Sequence, residues 1–320
     1  MKYIGIDVGG TNLKAGLVDE SGLILATHSI KMGQVEDADS LAWTLVALTQ
    51  DLCRSASVSL DQVASVGVGI PGTVEVRTGT VLYTCNLSMK NVPLRKLFHR
   101  YLATPFYLEN DANCAALAEY FVGAGQGSKR FITVTLGTGI GGGIIHNGKI
   151  FHGANGMAGE VGHMSIVYGG EPCPCGRRGC WERYASANAL KRMTEQAVRE
   201  HPDTGLGKVV AENGGHVSGR SAFEAMRRGD ALGRAVCERY IDYLAAGIIN
   251  LVNIFQPDTL AIGGGVSNED DACLLQPLRR RVERESIPCS RDKMTKIVKA
   301  ELGNRAGIIG AAFLGKNKRV

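Results

Sequence analysis

The chain has 320 residues, 44% hydrophobic and 21% charged, ordinary values for a folded globular protein that exclude a disordered or fibrous one. Lys and Arg number 36 against 31 Asp and Glu, and the resulting formal charge of +5 is too small to imply nucleic acid by itself. Glycine is the outlier at 42 residues, well above the usual share of about 7%; with no collagen period, these glycines mark tight turns and close backbone approaches.

In chain order, Tyr3 to Asp7 and Leu13 to Val18 are short apolar runs around Gly9-Gly10-Thr11-Asn12, a strand-turn-strand signal, and Leu23 to Ile30 fits a third strand. Asp7 stands where a secretion signal would need its apolar centre, so a cytoplasmic protein is expected. Leu41, Leu45, Leu48 and Leu52 recur at helical spacing between Ala38 and Ser55. Val63 to Ile70 returns to strand and stops at Pro71-Gly72. Pro105 to Leu108 is another strand, followed by an alanine-rich helix, Ala112 to Val122, that Asp111 can cap. Phe131 to Leu136 and Gly141 to Ile145 flank Gly137-Thr138-Gly139 and repeat the opening theme, which suggests a duplicated architecture. Helices are expected over Ala187 to Arg199 and Ala231 to Phe255; Gln256-Pro257-Asp258 ends the second, and Thr259 to Ile262 reads as a buried strand. The longest apolar stretch, Leu244 to Phe255, falls short of the ~20 residues that span a bilayer, so no membrane association is expected. Ala306 to Leu314 reads as a last helix, and a domain boundary is placed near residue 112.

Five groups of residues carry chemistry. In Asp7-Val8-Gly9-Gly10-Thr11-Asn12 a strand ends in a carboxylate and two glycines; backbone N–H groups without a Cβ in the way can close around phosphate oxygens, and Thr11 adds a hydroxyl. Asp7 is suited to hold Mg2+ beside those phosphates, although a plain glycine hairpin with a surface aspartate competes with this. Leu136 to Gly143 offers the same chemistry at Gly137, Thr138 and Gly139. Neither hairpin has the P-loop lysine or opens a helix, so P-loop and Rossmann motifs do not fit. Gly263-Gly264-Gly265, after a strand, suits close approach to a base or ribose. In Glu109-Asn110-Asp111-Ala112-Asn113, Asp111 can orient a hydroxyl nucleophile or serve as the helix cap. Finally, His163 with Cys173, Cys175 and Cys180 supplies three thiolates and one imidazole, a closed tetrahedral set of the kind structural Zn2+ takes. A redox pair is the rival there, disfavoured because one residue separates Cys173 from Cys175. Nine cysteines, an odd number, argue against a disulfide framework, and Cys53, Cys114 and Cys237 read as small core residues.

Taken in this order, Asp7-Val8-Gly9-Gly10-Thr11, Glu109 to Asn113, Leu136 to Gly143, Gly159-Glu160-Val161-Gly162-His163 and the Cys173 to Glu182 segment make the whole chain resemble the ROK family of bacterial sugar kinases and sugar-responsive repressors, its glucokinases most closely. The resemblance implies an α/β, actin-like (ribonuclease H-like) ATPase fold with two domains flanking a cleft and a structural zinc loop. The small domain would cover 1–112, with the helix at 305–320 packing back on it, and the larger one 113–304. It also implies ATP with Mg2+ at the two hairpins and at Gly263 to Gly265, and Asp111 as the general base toward a sugar hydroxyl. Gly72, Asn86, Asn110, Glu160, His163 and Glu182 would bind the sugar, His163 serving both sugar and zinc. The expected activity is transfer from ATP to the 6-hydroxyl of a hexose, glucose first; another hexose, an N-acetylhexosamine or a sensor that does not bind DNA are the alternatives.

The repressor branch carries a helix-turn-helix ahead of the first hairpin, and Asp7 lies too near the start to leave room for one, so no nucleic-acid partner is expected. Arg279-Arg280-Arg281, Arg227-Arg228 and Lys316 to Arg319 lack interleaved aromatics and read as solvated faces. An actin-like filament or chaperone ATPase would have no use for the hydroxyl-binding set. By resemblance the chain forms a homodimer or homotetramer.

Overall fold

The computed structural model describes residues 1–34, 37–84, 89–288, 290 and 293–317. Strands β1 (Lys2–Val8), β2 (Asn12–Asp19) and β3 (Ile24–Lys31) form an antiparallel meander. Helix α1 (Ala38–Ser55) starts at Asp37, whose carboxylate accepts from the Ser40 amide while the Ser40 hydroxyl accepts from the Asp37 amide. This reciprocal cap satisfies donors that a helix start leaves open. Its leucine stripe, Leu41, Leu45, Leu48 and Leu52, is fully buried. Strand β4 (Val63–Ile70) pairs parallel with β1. A small sheet of β5 (Thr73–Glu75), β6 (Thr80–Tyr83) and β7 (Lys90–Val92), then α2 (Leu94–Phe98), lead to β8 (Phe106–Asn110), parallel to β4, and α3 (Asp111–Val122).

Then come β9 (Arg130–Leu136), β10 (Ile140–His146) and β11 (Lys149–Ile150), followed by a long stretch with little regular structure. Helices α4 (Glu182–Ala185), α5 (Ala187–Glu200), α6 (Gly205–Glu212), α7 (Ser221–Arg227) and α8 (Ala231–Phe255) precede β12 (Thr259–Gly263). Helix α9 (Leu275–Glu285), β13 (Lys296–Lys299), parallel to β12, and α10 (Ala306–Asn317) complete the chain. The two large sheets have the orders β3-β2-β1-β4-β8 and β11-β10-β9-β12-β13. Each begins with a three-strand meander whose first strand also pairs with the fourth. The sheets thus repeat one topology, the duplication suggested by the paired hairpins.

The described residues fall into two compact units, one of Met1–Thr133, Gly143–Gly159 and the described part of Glu301–Val320, the other of Val134–Gly142 and Glu160–Ala300. Residues 113–133 therefore lie with the first unit, beyond the boundary placed near 112. The reason is packing: α10 lies on β1, β4 and α3. A Cβ at Gly5 would stand 1.9 Å from the Ile308 carbonyl oxygen and one at Gly67 1.8 Å from that of Ala311, so only glycine lets α10 approach the sheet this closely. Buried Glu119 of α3 anchors the lead-in to α10 by accepting from the amides of Glu301 at 3.1 Å and Leu302 at 2.8 Å. With α1 on its other face, the first sheet is covered on both sides, which is why β1 and β4 read as nearly continuous apolar runs. Among the described residues, no helix is long and apolar enough to cross a membrane.

Candidate functional site

In the first unit the chain turns tightly after β1, with the Gly9 amide donating to the Asn12 carbonyl at 2.9 Å, and Gly10 and Thr11 are exposed at the tip. Asp7 ends the strand opposite Lys14 in the β1–β2 register. Burial raises its pKa to about 6; the negative charge of Asp111 pushes the same way and Lys14 opposes. Gly307, in the first turn of α10, leaves room for the acid: a Cβ there would lie 2.8 Å from Asp7 Cγ. No local motif announces Gly307, because its neighbour is 300 positions away in the chain; only the packing of α10 reveals it.

Asp111 opens α3, but the cap is its neighbour. Asn110 Oδ1 accepts from the amides of Ala112 at 2.9 Å and Asn113 at 3.2 Å, so Asn110 fills the N-cap that the sequence offered to Asp111. Asn110 Nδ2 donates to the Gly72 carbonyl at 3.1 Å, bringing those two predicted residues together. Gly72 has φ +106°, and a Cβ there would stand 2.2 Å from the Tyr83 carbonyl oxygen, so the position is closed to other residues. Asp111 Oδ1 accepts from the adjacent Ala112 amide at 2.9 Å, and burial raises its pKa against the opposing pull of main-chain amides. A partly buried carboxylate with raised basicity at a helix N-terminus is suited to accept a proton. Asn86 lies outside the described residues.

In the second unit the Cys173 to Glu182 loop folds on itself. The Cys173 amide donates to the Arg177 carbonyl, the Gly176 amide to the Cys173 carbonyl, and Pro172 bridges Arg178. Gly176 and Gly179 adopt φ +88° and +78°, the sharp turns that glycines beside ligands permit. Trp181 locks the loop to α8: its ring is fully buried over Gly247 and Nε1 donates to the Tyr243 carbonyl at 2.9 Å. The donor atoms of His163, Cys173, Cys175 and Cys180 all lie within 4.8 Å of one another. Cys175 Sγ and Cys180 Sγ are 3.6 Å apart, and His163 Nδ1 is 3.7 Å from Cys173 Sγ. These separations match the edge of a tetrahedron built on Zn–S bonds of about 2.3 Å, roughly 3.8 Å. The four donors fit Zn2+ and would complete a four-coordinate site for it. Glu182 stands beside them, Oε1 3.2 Å from Cys173 Sγ and 3.8 Å from His163 Nδ1.

The second hairpin lies against the same carboxylate. A Cβ at Gly139 would sit 2.5 Å from Glu182 Oε2, and the Gly137 carbonyl accepts from the Ala187 amide at the start of α5 at 2.9 Å. Gly264, with φ +87°, presses on the end of β9, where a Cβ would stand 2.4 Å from the Leu136 carbonyl oxygen. Gly137 to Gly139, Gly263 to Gly265, Glu182 and the Cys3His group are therefore neighbours in one unit. Exposed Glu160 opens the short turn leading to His163, whose amide donates to the Glu160 carbonyl at 3.1 Å. The arginine stretches are laced with acids: Arg227 meets Glu269, Arg228 meets Glu212, Arg279 meets Asp271, and Arg281 pairs with Asp242. Cys53, Cys114 and Cys237 are buried free thiols in helices, as core packing expects.

The model of the ROK family matches residues 3–318. The chain is 37% identical over 318 residues to a glucokinase of Halalkalibacterium halodurans, covering 99% of this chain and 95% of that one. It is 30% identical to an N-acetyl-D-glucosamine kinase of Vibrio cholerae, covering 98% and 99% of the two. The crystal structure of a ROK family glucokinase from Streptomyces griseus in complex with glucose and AMPPNP superposes with a TM-score of 0.81, at 35% identity and 99% coverage of each chain. The α/β architecture is thus the actin-like ATPase fold, and the chain belongs to the ROK family.

Proposed function

We propose that this protein is a hexokinase-type phosphotransferase that moves the γ-phosphoryl group of ATP to the 6-hydroxyl of a hexose, with glucose as the preferred acceptor. The observation that carries the reading is Asp111: a partly buried carboxylate of raised basicity, beside an asparagine already committed to capping, in the unit that also holds the Asp7–Asn12 hairpin. Phosphoryl transfer asks little covalent work of a protein; it needs alignment and charge neutralisation. In this reading Asp111 accepts the proton of the attacking hydroxyl, and the main-chain amides of the two hairpins hold phosphate oxygens. Asp7 is the residue suited to Mg2+, which when bound neutralises charge on the phosphates. Asn110, Gly72, Glu160, His163 and Glu182 would orient the remaining hydroxyls. The Cys3His group would hold Zn2+ as a scaffold that fixes His163 and Glu182, with Nδ1 of His163 on the metal side and the other ring nitrogen left for sugar.

The likeness to the Vibrio cholerae N-acetyl-D-glucosamine kinase favours a second acceptor class, an N-acetylhexosamine. Polar pockets reject a substrate that leaves a buried donor unpaired, so kcat/KM across glucose, mannose, fructose, N-acetylglucosamine and N-acetylmannosamine separates the two. Glucose is expected to lead the panel. An N-acetylated sugar leading it would replace glucose while leaving the phosphotransferase in place, and ATP turnover indifferent to every sugar would overturn both.

A further inference from the structure

Glu109 takes no part in the chemistry above, yet its carboxylate is 1% exposed and fully engaged. Oε1 accepts from the Asn110 amide at 2.9 Å and from Asn113 Nδ2 at 3.0 Å. Oε2 lies 2.6 Å from Nε2 of His152. The imidazole and the carboxylate are thus joined by a direct hydrogen bond. A buried charge persists when it is paired and hydrogen-bonded, and here histidine supplies what the strand cannot. The His152 side chain is 34% exposed, at a cavity of about 340 Å³ lined also by Tyr107, Lys149 and Leu314.

The bond ties together two segments of the same unit. One is the end of β8, which carries Asn110 and Asp111. The other is the loop closed by the Ala158 amide donating to the His152 carbonyl at 3.1 Å, which continues in the chain toward Glu160. Asn110 Oδ1 caps α3 and one Nδ2 proton goes to Gly72, while the Asn110 main chain, where the turn begins, is held by Glu109.

We propose that His152 is a positioning residue for phosphoryl transfer: acting through Glu109, it holds the Asn110–Asp111 turn so that the Asp111 carboxylate faces the accepting hydroxyl. The inference rests on Asp111 being the base. Without the imidazole, Oε2 of Glu109 loses its protein donor and the carboxylate is held only through Oε1, by the Asn110 amide and Asn113 Nδ2.

The test uses the full chain with glucose and ATP. His152→Leu is expected to lower kcat about 10-fold or more, because a small misplacement of a reacting group is costly, with the KM for ATP held within about two-fold. His152→Gln, whose side-chain amide reaches about as far as the ring Nε2, should recover most of kcat. In an Asp111→Asn background, His152→Leu should cost less than about two-fold more, since a residue acting through the base has nothing left to position. Near-normal kcat in His152→Leu, equal losses in the Leu and Gln variants, or an undiminished loss in the Asp111→Asn background would each overturn the role of His152. Near-normal kcat in Asp111→Asn alone would instead remove the base assignment, and this inference with it. Should His152→Leu fail to fold, His152→Gln against His152→Asn, whose donor stops short of Glu109, makes the same comparison.

Discussion

In the hairpin at residues 7–12 the acid belongs to the strand itself: Asp7 is partly buried, faces Lys14 across the β1–β2 pair, and fits because Gly307 of α10 has no side chain. The hairpin at residues 137–139 has no acid of its own. Its carboxylate is Glu182, contributed by the start of α4 and placed against Gly139 by the loop that gathers Cys173, Cys175 and Cys180. Two stretches with one sequence pattern and one sheet topology thus meet charge by different routes, one through burial in a sheet and the other through a loop shaped for a metal. On this contrast the first hairpin should respond to pH and to the nearby Asp111 carboxylate, and the second to whether the Cys3His group is loaded with a metal.

The comparison breaks most readily at Asp111. Asp111→Ala is expected to lower kcat by about 100-fold or more, the usual scale for a positioned base, while sugar binding measured by calorimetry changes little. A variant of near-normal kcat would leave the first unit without a catalytic group.

Next in size is the pH response of Asp7. Its pKa rises from 3.8 to about 6 in the folded chain. For a carboxyl raised on folding, the stability linked to the proton is fully present below the unfolded value and is lost as the pH rises through the folded one. Asp7→Asn should therefore be more stable than the parent near pH 7.5 without nucleotide, by roughly 2–3 kcal/mol, and the gap should close toward pH 4. Denaturant melts of both proteins across that range measure it, and a gap that does not vary with pH contradicts the burial argument.

The second region should answer to the metal instead. Cys175→Ser is expected to lose zinc by elemental analysis and to raise the KM for sugar about 10-fold, the scale on which disturbed metal-site neighbours act. A metal-free protein with an unchanged KM would sever the loop from the sugar site. The smallest effect expected is that of Gly139→Ala, whose methyl must displace the flexible end of Glu182. It should raise the KM for sugar a few-fold, about 1 kcal/mol or less, with kcat for the bound complex nearly kept.

Much of this was legible in the chain. The glycine hairpins announce themselves because strand, turn and strand are local events, and the repeated pattern foretold the repeated strand order of the two sheets. The Cys3His set was equally plain, since three ligands stand within eight residues and the glycines that turn the loop sit beside them. The small β5–β7 sheet has no signature in the sequence because strands of three or four residues leave no periodicity.

Other features were decided only by tertiary structure. Asn110 and Asp111 are both capping residues by type, and the choice between them was made by Gly72, which accepts from the Asn110 amide group and holds that side chain in place. Residues 143–159 and α10 return to the first unit, and with them come His152 for Glu109 and Gly307 for Asp7. Local sequence fixes dihedral preferences and donor types over a few residues, whereas burial and the pairing of a buried charge are settled between segments that only the completed packing brings together.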